Sequence, residues 1–262
     1  MSLNLAAFLP HPPLAIPTIG GDNIKAVAAT IKAYQHIQEQ IYQARLDTLI
    51  IISAHGHSLE QAFAINHAPQ MHFDFSQFGD LNEYQIINND MSLGYNLREY
   101  METRIPVVLY NEEAIDYGAA VPLYYLLQNQ PNIMVVPVHT SHLNYERHVQ
   151  FGEMIKEITW RSNKRIGVIA AGDLSHTLTE EAPAGFNPAG KEFDKLIISL
   201  IKQKQLASLG NISSDLVNQA VTCGYRPFLT LLGITKNVAW QPDVLAYEAP
   251  VGVGYLSLQF IL

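Results

Sequence analysis

Three histidines of this sequence lie just beyond the ends of apolar runs that are predicted to be buried strands. They are His11, His55 and His176, and an acidic residue, Asp173, precedes the last of them. Imidazole is the most common metal ligand in proteins, and it titrates near neutral pH. Two or three imidazoles with one anionic ligand suit Fe(II), Zn(II) or Mn(II). The positions of these histidines therefore predict one shared site that binds a divalent metal.

The anionic ligand has two candidates in the sequence. Cys223 is the only thiol, and it lies in a turn between two predicted helices. A lone cysteine commonly serves as a small buried apolar residue, whereas a thiolate beside a divalent cation is a metal ligand. Glu248 offers a carboxylate instead. The residue types alone leave both alternatives open.

The other histidines divide into two groups. His139 and His142 end a predicted strand, so they are candidates to line the site. The others fall in predicted helices or in a polar loop, and we interpret them as ordinary surface or hydrogen-bonding residues: His36, His67, His72 and His148.

Composition excludes several classes of protein. The 262 residues are 48 % hydrophobic and 15 % charged, which indicates a large buried core and not a disordered chain. The net charge of −8 disfavours binding to nucleic acid or to an anionic membrane. One cysteine excludes an internal disulfide and an all-cysteine zinc site. No apolar run has the roughly 18–20 residues of a membrane span, and the N-terminal residues lack the features of a signal peptide, so we expect a soluble cytoplasmic protein.

Strands and helices are predicted to alternate along the chain. This order favours an α/β fold, in which residues 1–262 form a single domain with a mostly parallel central sheet and helices on both faces. In such folds ligands bind beyond the carboxyl ends of the strands, where the three histidines lie. The predicted strands are residues 3–9, 47–53, 106–109, 133–139 and 166–171, with an antiparallel pair at 238–246 and 254–261. The predicted helices are residues 24–41 with Asp22 as the N-cap, 90–104, 119–128, 146–160, 193–201, 213–221 and 227–232.

Seven short motifs in the chain carry a family resemblance. They are PHPP (10–13), ISAH (52–55), FSQFG (75–79), VPLY (121–124), GDLSH (172–176), GFNP (185–188) and YEAPVGVGY (247–255). In this order and spacing the motifs resemble the class III extradiol dioxygenase, or LigB-like, superfamily. The likeness is strongest to the LigB-like domain associated with AMMECR-type domains and to the Memo-type proteins, and it covers nearly the whole chain.

The resemblance implies a role for each residue that matches a family motif. His11 and His55 match the two metal-ligand histidines of the superfamily. His176 matches the histidine that acts as acid and base in ring-cleaving members. Cys223 looks like the cysteine that completes the site in Memo-type proteins. His57 has no counterpart in the usual motif, which makes it a candidate to support the ligands.

The same resemblance implies a reaction and its reactants. Ring-cleaving members act on a small aromatic of the catechol type with dioxygen, so Fe(II) is the first expectation for the metal and Zn(II) the alternative. Asp173 would orient His176 or a ligand. Aromatic side chains at Phe78, Tyr117 and Tyr124 are candidates to stack on a substrate ring. The superfamily often pairs its subunits, which implies a homodimer.

Two residues depart from the family pattern, and of these Thr222, together with Cys223, favours an alternative function. Thr222 stands where close relatives often carry an acidic residue, and Tyr117 stands where they often carry histidine between Asp116 and Gly118. A missing carboxylate argues against Fe(II) oxygenase chemistry. The alternative is a Memo-like protein whose metal site is vestigial or serves binding, and whose cleft engages a protein or peptide partner.

Overall fold

One mixed sheet of eight strands runs through the computed structural model, which describes residues 3–82, 84–130 and 132–261. A second, three-stranded sheet lies beside it. Within these residues the strands are β1 Leu3–Leu9, β2 Thr48–Ser53, β3 Phe63–Asn66, β4 Gln70–Phe73, β5 Ile87–Asn88, β6 Val107–Tyr110, β7 Ala114–Ile115, β8 Met134–His139, β9 Ile166–Ala171, β10 Gln241–Glu248 and β11 Tyr255–Ile261.

Of the ten connections between successive strands in the described residues, five contain α-helices. In this part of the chain no helix has the length and apolar character that crossing a lipid bilayer requires. The helices are α1 Pro17–Gly20, α2 Ala28–Ala44, α3 Met91–Met101, α4 Tyr117–Leu126, α5 Tyr145–Arg161, α6 Pro188–Lys202, α7 Ser214–Ala220 and α8 Tyr225–Thr235, with 3-10 turns at Pro13–Ala15, Gly21–Val27, Ser76–Phe78 and Leu206–Asn211.

The strand order of the large sheet is β10-β11-β1-β9-β2-β8-β3-β6. The four central strands β1, β9, β2 and β8 are parallel to their neighbours within that group. Strand β11 is antiparallel to β1 and to β10, and β3 is antiparallel to β8. The predicted α/β fold and the predicted antiparallel C-terminal pair are confirmed.

Two apolar cores lie on the two faces of this sheet. On one face Leu97, Phe151 and Phe193 of three helices pack against buried residues of the central strands, together with α8. On the other face Ile37 of α2 and Leu123 of α4 pack in the same way. Both faces of the central strands are covered, and these strands are predominantly apolar, as parallel strands usually are.

The beginning of the first long helix differs from the prediction. Helix α2 begins at Ala28, and Asp22 lies in the preceding 3-10 turn, so Asp22 does not cap the α-helix. The periodic apolar residues extend across both segments, and periodicity alone does not separate a 3-10 turn from the α-helix that follows it.

Two histidine predictions were also wrong. His72, predicted in a polar loop, lies in β4, opposite Ala114. The strands of the small sheet are two to four residues long, too short to give a recognisable alternation. His148, predicted on a helix surface, is fully buried against Phe63, and its Nδ1 atom lies 2.9 Å from the carbonyl oxygen of Asn144.

A close crossing of α5 and α8 positions the second half of the site. A Cβ atom built on Gly152 would lie 1.9 Å from the carbonyl oxygen of Thr230, and one built on Gly233 would lie 2.1 Å from that of Val149. The two helix backbones therefore touch, which only glycine permits. Helix α8 begins two residues after Cys223, so this crossing fixes where that thiol lies.

We expect Gly152→Ala to lower the free energy of unfolding by about 2–3 kcal/mol. Overpacking costs about 1–3 kcal/mol and occasionally more, and because the added Cβ would lie 1.9 Å from a backbone oxygen we expect a cost of about 3–4 kcal/mol, from which a gain of about 1 kcal/mol in helix propensity is subtracted. Urea denaturation measures the change. The matched control is Gly210→Ala, where an added Cβ meets nothing within 4 Å, and its effect should stay within about 0.5 kcal/mol. Equal stabilities for the two variants would contradict the close crossing.

Candidate metal centre

The parallel register of three strands brings three candidate residues to one edge of the sheet. Leu9 of β1 and Ser53 of β2 are both paired with Ala171 of β9, which lies between them. His11, His55 and Asp173 each follow two residues later in the chain. Their convergence follows directly from the strand order.

His11, His55 and Cys223 form one cluster of potential ligand atoms. Their Nε2, Nε2 and Sγ atoms all lie within 4.8 Å of one another. The two Nε2 atoms are 3.1 Å apart, and the Cys223 Sγ atom is 3.6 Å from the Nε2 atom of His11. Tetrahedral zinc, with bonds of about 2.0–2.1 Å to nitrogen and about 2.3 Å to sulfur, would separate two nitrogens by about 3.3 Å and nitrogen from sulfur by about 3.6 Å. The donor set therefore fits a divalent metal.

Burial keeps both imidazoles in the state that a metal ligand needs. Desolvation lowers the pKa of His11 to about 3 and that of His55 to about 4, with the neighbouring imidazole lowering the pKa of His55 further. Both rings are therefore neutral near pH 7. A neutral imidazole carries the lone pair that binds a metal, whereas an imidazolium does not.

A second cluster shares the thiol. Asp173, His176 and Cys223 also place one ligand atom each within 4.8 Å of the others. The Nε2 atom of His176 lies 3.8 Å from the Cys223 Sγ atom and 3.9 Å from the Asp173 Oδ2 atom. The contact with the Cys223 sulfur is within hydrogen-bonding distance for sulfur, whereas the contact with the Asp173 oxygen is too long for a hydrogen bond.

Glycines allow the two loops of this cluster to meet. A Cβ atom on Gly172 would lie 2.2 Å from the Cα atom of Gly224. The backbone N–H of Asp173 donates to the Cys223 Sγ atom at 3.3 Å, and the Thr222 hydroxyl donates to the Asp173 carbonyl oxygen at 2.9 Å. In both loops a glycine lies next to a candidate site residue: Gly172 next to Asp173, and Gly224 next to Cys223. The two glycines let the loop backbones approach each other, and this brings the two side chains together.

Charges near the cluster balance those of a bound dication. Burial raises the pKa of the Cys223 thiol well above its ordinary value, and a bound cation would favour the thiolate instead. Burial also raises the pKa of Asp173 to about 6, so this carboxylate is ionised at pH 7. Its Oδ2 atom lies 3.5 Å from the His11 Nε2 atom. One thiolate and one carboxylate together offset two positive charges.

Tyr117 lies directly beside the two histidines. Its hydroxyl is 3.2 Å from the His55 Nε2 atom, and its ring centroid lies 4.6 Å from that of His55 and 5.4 Å from that of His11. Phe78 packs against Tyr117 at 5.3 Å. Tyr124 contacts Tyr84 and Tyr125 instead. Of the three aromatics singled out in the sequence, Tyr117 and Phe78 are the two next to the cluster.

A hydrogen-bonded group lies behind His55. The Nδ1–H of His139 donates to the His55 carbonyl oxygen at 2.6 Å, and the Nε2 atom of His139 bonds the Tyr110 hydroxyl. The Ser53 hydroxyl donates to Asp116 at 2.7 Å. These hydrogen bonds stabilise the loop that carries His55, and they do not involve its imidazole ring. The sequence did not predict Ser53 and Asp116 as supporting residues, although Ser53 lies in the ISAH motif and Asp116 directly precedes Tyr117.

Two further candidates lie outside both clusters. The ring of His57 stacks on Tyr110 with centroids 4.3 Å apart. The Glu248 carboxylate accepts a hydrogen bond of 2.8 Å from the backbone N–H of Thr30. Of the two anionic candidates for the third ligand position, the structure brings Cys223, and not Glu248, to the histidines.

Residues 5–257 match the family described as "Catalytic LigB subunit of aromatic ring-opening dioxygenase". The chain belongs to the LigB family. The resemblance that the sequence motifs carried is thereby confirmed over nearly the whole chain.

Relatives of this LigB-family protein include longer proteins. It is 31 % identical over 266 residues to protein CA_C1420 of Clostridium acetobutylicum, with 97 % of this chain and 57 % of that protein covered. It is 30 % identical over 139 residues to the MEMO1 family protein MJ0403 of Methanocaldococcus jannaschii, with 52 % of this chain and 45 % of that protein covered. The chain thus spans about half the length of these relatives.

A solved structure shows the same fold. The uncharacterized protein JW3007 of Escherichia coli K12 superposes with a TM-score of 0.70 over 97 % of this chain and 98 % of that chain, at 18 % identity. The fold of this LigB-family chain is therefore shared with a distant protein of nearly equal extent.

Asp194 positions the loop that carries His176 in this LigB-family protein. Its Oδ1 atom accepts from the backbone N–H of Ser175 at 2.9 Å, and its Oδ2 atom accepts from the Tyr247 hydroxyl at 2.7 Å. Burial raises the pKa of Asp194 from 3.8 to about 6, while the two hydrogen bonds lower it. The native protein therefore binds a proton here, between about pH 4 and pH 6, that the unfolded chain does not.

We expect Asp194→Asn to change how stability depends on pH. Because the native pKa is raised, the contribution of Asp194 to stability is largest below pH 4 and is lost as the pH rises through about 6. Asparagine retains the acceptor for Ser175 and removes the titration. The free energy of unfolding of the variant, relative to the wild type, should rise by about 2–3 kcal/mol from pH 4 to pH 7. Denaturation curves over this range that run parallel for both proteins would contradict the assignment.

Proposed function

We propose that this protein is a metal-dependent dioxygenase that opens the ring of a small aromatic diphenol. His11, His55 and Cys223 hold the metal, and His176 transfers protons. The observation that carries this proposal is the convergence of two neutral imidazoles, one thiol and a separate, partly exposed histidine at the sheet edge. Membership of the LigB family supports the same class of reaction.

A cavity beside the cluster offers room for a substrate. Its volume is about 400 Å³, and His55, His176 and Cys223 are among the residues that line it. Small-molecule sites are typically about 300–1,000 Å³. A single aromatic ring in this cavity would therefore reach two of the proposed ligand residues, His55 and Cys223, together with the His176 ring.

The metal would supply a binding position for the two adjacent oxygens of the diphenol and for dioxygen, and Fe(II) is the metal that this chemistry favours. The same ligands accept Zn(II). In the overall reaction one ring C–C bond breaks and both atoms of dioxygen enter the product. The residues of the chain would bind the substrate, orient it and transfer protons.

His176 is suited to the proton transfer. Burial lowers its pKa, against the opposing effect of the Asp173 carboxylate, so its ring is neutral and basic near pH 7. It can accept a proton from a substrate hydroxyl at Nε2 and return it later. The backbone N–H of His11 donates a hydrogen bond of 2.9 Å to the Asp173 carboxylate. This bond fixes the carboxylate between His11 and His176.

Cys223 favours a second candidate function. Two imidazoles and a carboxylate are the usual ligands of Fe(II) oxygenases, and a thiolate in the third position also suits a site that only binds metal. MEMO1 family proteins are among the relatives of the chain. In this alternative the protein binds a metal without ring cleavage, and its cleft engages a protein or peptide.

Metal analysis followed by oxygen uptake separates the two candidates. Freshly purified protein is assayed for bound metal, loaded with Fe(II) without oxygen, and then mixed with a panel of catechols in aerated buffer. Stoichiometric metal and catechol-dependent oxygen consumption would support the dioxygenase. Stoichiometric metal with no oxygen consumption for any catechol would contradict ring cleavage and favour the binding function.

A further inference from the structure

A second, smaller pocket begins at Gly56, the residue after His55. It shares no lining residue with the larger cavity beside the candidate metal centre. Its volume is about 170 Å³. One water molecule takes up about 30 Å³ of liquid, so the pocket has room for roughly five to six groups of that size. It therefore suits a ligand with about that many non-hydrogen atoms.

The lining of this pocket is negatively charged. Three carboxylates line it, those of Asp74, Glu112 and Asp116, and we call it the acidic pocket. Neither a lysine nor an arginine is among the described residues of its lining. Burial raises the pKa of Tyr110 in the same pocket, and the charges of Asp116 and Glu112 raise it further, so both carboxylates act on one wall. A pocket with this charge attracts a cation.

One oxygen of Asp116 is buried without a hydrogen-bond donor. The side chain of Asp116 is only 8 % exposed, and its Oδ1 atom accepts from the Ser53 hydroxyl. Its Oδ2 atom has no hydrogen-bond partner. The Nδ1 atom of His139 lies 3.8 Å from Oδ2, which is too long for a hydrogen bond. A buried carboxylate oxygen that lacks a donor is costly, which indicates that a ligand supplies the donor.

A second polar group of the acidic pocket is also left as an acceptor. Burial lowers the pKa of His139, so its ring is neutral near pH 7 and carries one N–H. This N–H is on Nδ1, because Nδ1 lies 2.6 Å from the carbonyl oxygen of His55. The Nε2 atom of His139 therefore accepts from the Tyr110 hydroxyl. The only hydroxyl hydrogen of Tyr110 is thus in use, and its oxygen can accept a further hydrogen bond but cannot donate one.

A primary ammonium matches this lining better than a bare divalent metal. Among the described residues, no three ligand atoms of the acidic pocket lie within 4.8 Å of one another, so its carboxylates do not converge on one ion. An ammonium group carries one positive charge and three N–H donors. The rings of Tyr110 and Tyr117, which also line the pocket, offer faces for a cation and for a short alkyl chain.

We propose that the acidic pocket binds the primary ammonium group of a short alkyl chain, with Asp116 as its main counter-charge. The ligand is a small free amine or the end of a lysine side chain from another protein, since both present the same chemistry. This site is separate from the cavity assigned to the aromatic substrate, so it does not depend on the proposed function.

Binding of n-butylammonium and of its neutral analogue n-butanol tests the site directly. Protein as purified is titrated with each at pH 7, and binding is followed by ligand-detected NMR. We expect butylammonium to bind more tightly, and Asp116→Asn to weaken it by about 10- to 100-fold, as the loss of a charged hydrogen bond predicts. Asparagine retains an acceptor for Ser53 and for the first turn of α4, which Asp116 caps. Equal binding of the two compounds by the wild type would overturn the proposal.

Two neighbouring glutamates give a matched pair of variants. Glu112 lines the acidic pocket, whereas Glu113 does not, and both side chains are exposed. Glu112→Gln should weaken butylammonium by about two- to fivefold, as the loss of an exposed charge predicts, and Glu113→Gln should leave it unchanged. This pair keeps the test decisive if Asp116→Asn does not fold. Wild-type affinity in Asp116→Asn, or equal affinities in the two glutamine variants, would contradict the assignment.

Two further compounds identify what the acidic pocket recognises. Tetramethylammonium carries the same charge without N–H donors, so it should bind more weakly than butylammonium. Equal binding would overturn the role of the unpaired Asp116 oxygen. Nα-acetyl-lysine amide represents a lysine within a protein chain. If it binds as tightly as butylammonium, the site accepts a protein side chain, and if only butylammonium binds, the ligand is a free amine. Either result supports an ammonium site.

Discussion

Replacing His11 or His55 by alanine is expected to weaken binding of Fe(II) or Zn(II) by about 100-fold or more. Loss of a group that only supports a ligand already costs about 10- to 100-fold in metal affinity, and loss of a ligand itself should exceed that. The Nε2 atoms of these residues lie 3.1 Å apart, so one metal ion can bind both. Dialysis against a buffered metal solution, followed by elemental analysis, measures the change.

His57→Ala provides a matched control on the same loop. Its ring stacks on Tyr110 and contributes no atom to either cluster. The variant should therefore retain the metal stoichiometry of the wild type. Full stoichiometry in His55→Ala would contradict the ligand assignment, and loss of metal in His57→Ala would indicate a different ligand set.

Thermal unfolding gives an independent measurement of the same assignment. A ligand that binds only the native state raises its stability by about 2.7 kcal/mol at 100 times its dissociation constant. Added metal should raise the melting temperature of the wild type and of His57→Ala, but not that of His11→Ala or His55→Ala. Metal-free samples of all four proteins serve as the reference, so any direct effect of the substitution on folding is subtracted.

The position of the candidate site at one edge of the sheet could be predicted from the sequence, because this position depends on local sequence patterns. Strands β2 and β9 are β-branched and apolar on both faces, which identifies central parallel strands. Parallel strands direct their carboxyl ends to one edge, so the meeting of His11, His55 and Asp173 follows from the pattern of single segments. The register then places each of them two residues beyond a paired strand end.

The third ligand candidate could not be predicted in the same way. Cys223 and Glu248 both lie far along the chain from His11, and neither follows a parallel strand. The choice between them depends on the crossing of α5 and α8 at Gly152 and Gly233, and on the contact of Gly172 with Gly224. Such backbone contacts are tertiary features. A single sequence shows the glycines but not their partners.

The small sheet and the supporting residues were missed for a related reason. Strand β4 pairs with β5 and β7, which have two residues each, so their pairing depends on neighbours and not on an intrinsic pattern. Asp194 was not predicted because its hydrogen bond to Ser175 also depends on the tertiary structure. The two residues are 19 positions apart in the sequence, and Asp194 lies on helix α6. A buried carboxylate on an amphipathic helix is detectable as an interruption of its apolar face, but its partner is not.

His176 is expected to affect turnover without affecting metal binding. Its Nε2 atom is 3.8 Å from the Cys223 Sγ atom, and its side chain is 22 % exposed towards the cavity. A positioned acid–base group contributes about 10²- to 10⁴-fold to the rate. We therefore expect His176→Ala and His176→Gln to lower kcat by about this factor in catechol-dependent oxygen uptake, with metal affinity unchanged within a few-fold.

The pH profile and the metal content together decide what His176 does. Since its pKa is lowered from 6.5, the basic form predominates at neutral pH, and the acidic limb of kcat/KM in the wild type should lie below pH 6.5. That limb should be absent in His176→Gln, which keeps a hydrogen-bonding side chain but does not titrate. Unchanged turnover in this variant would exclude proton transfer by His176.

Loss of metal from His176→Gln would instead favour the second cluster, in which Asp173, His176 and Cys223 are the ligands. The two clusters share a thiol and differ in their histidines, so this one substitution separates a base from a ligand.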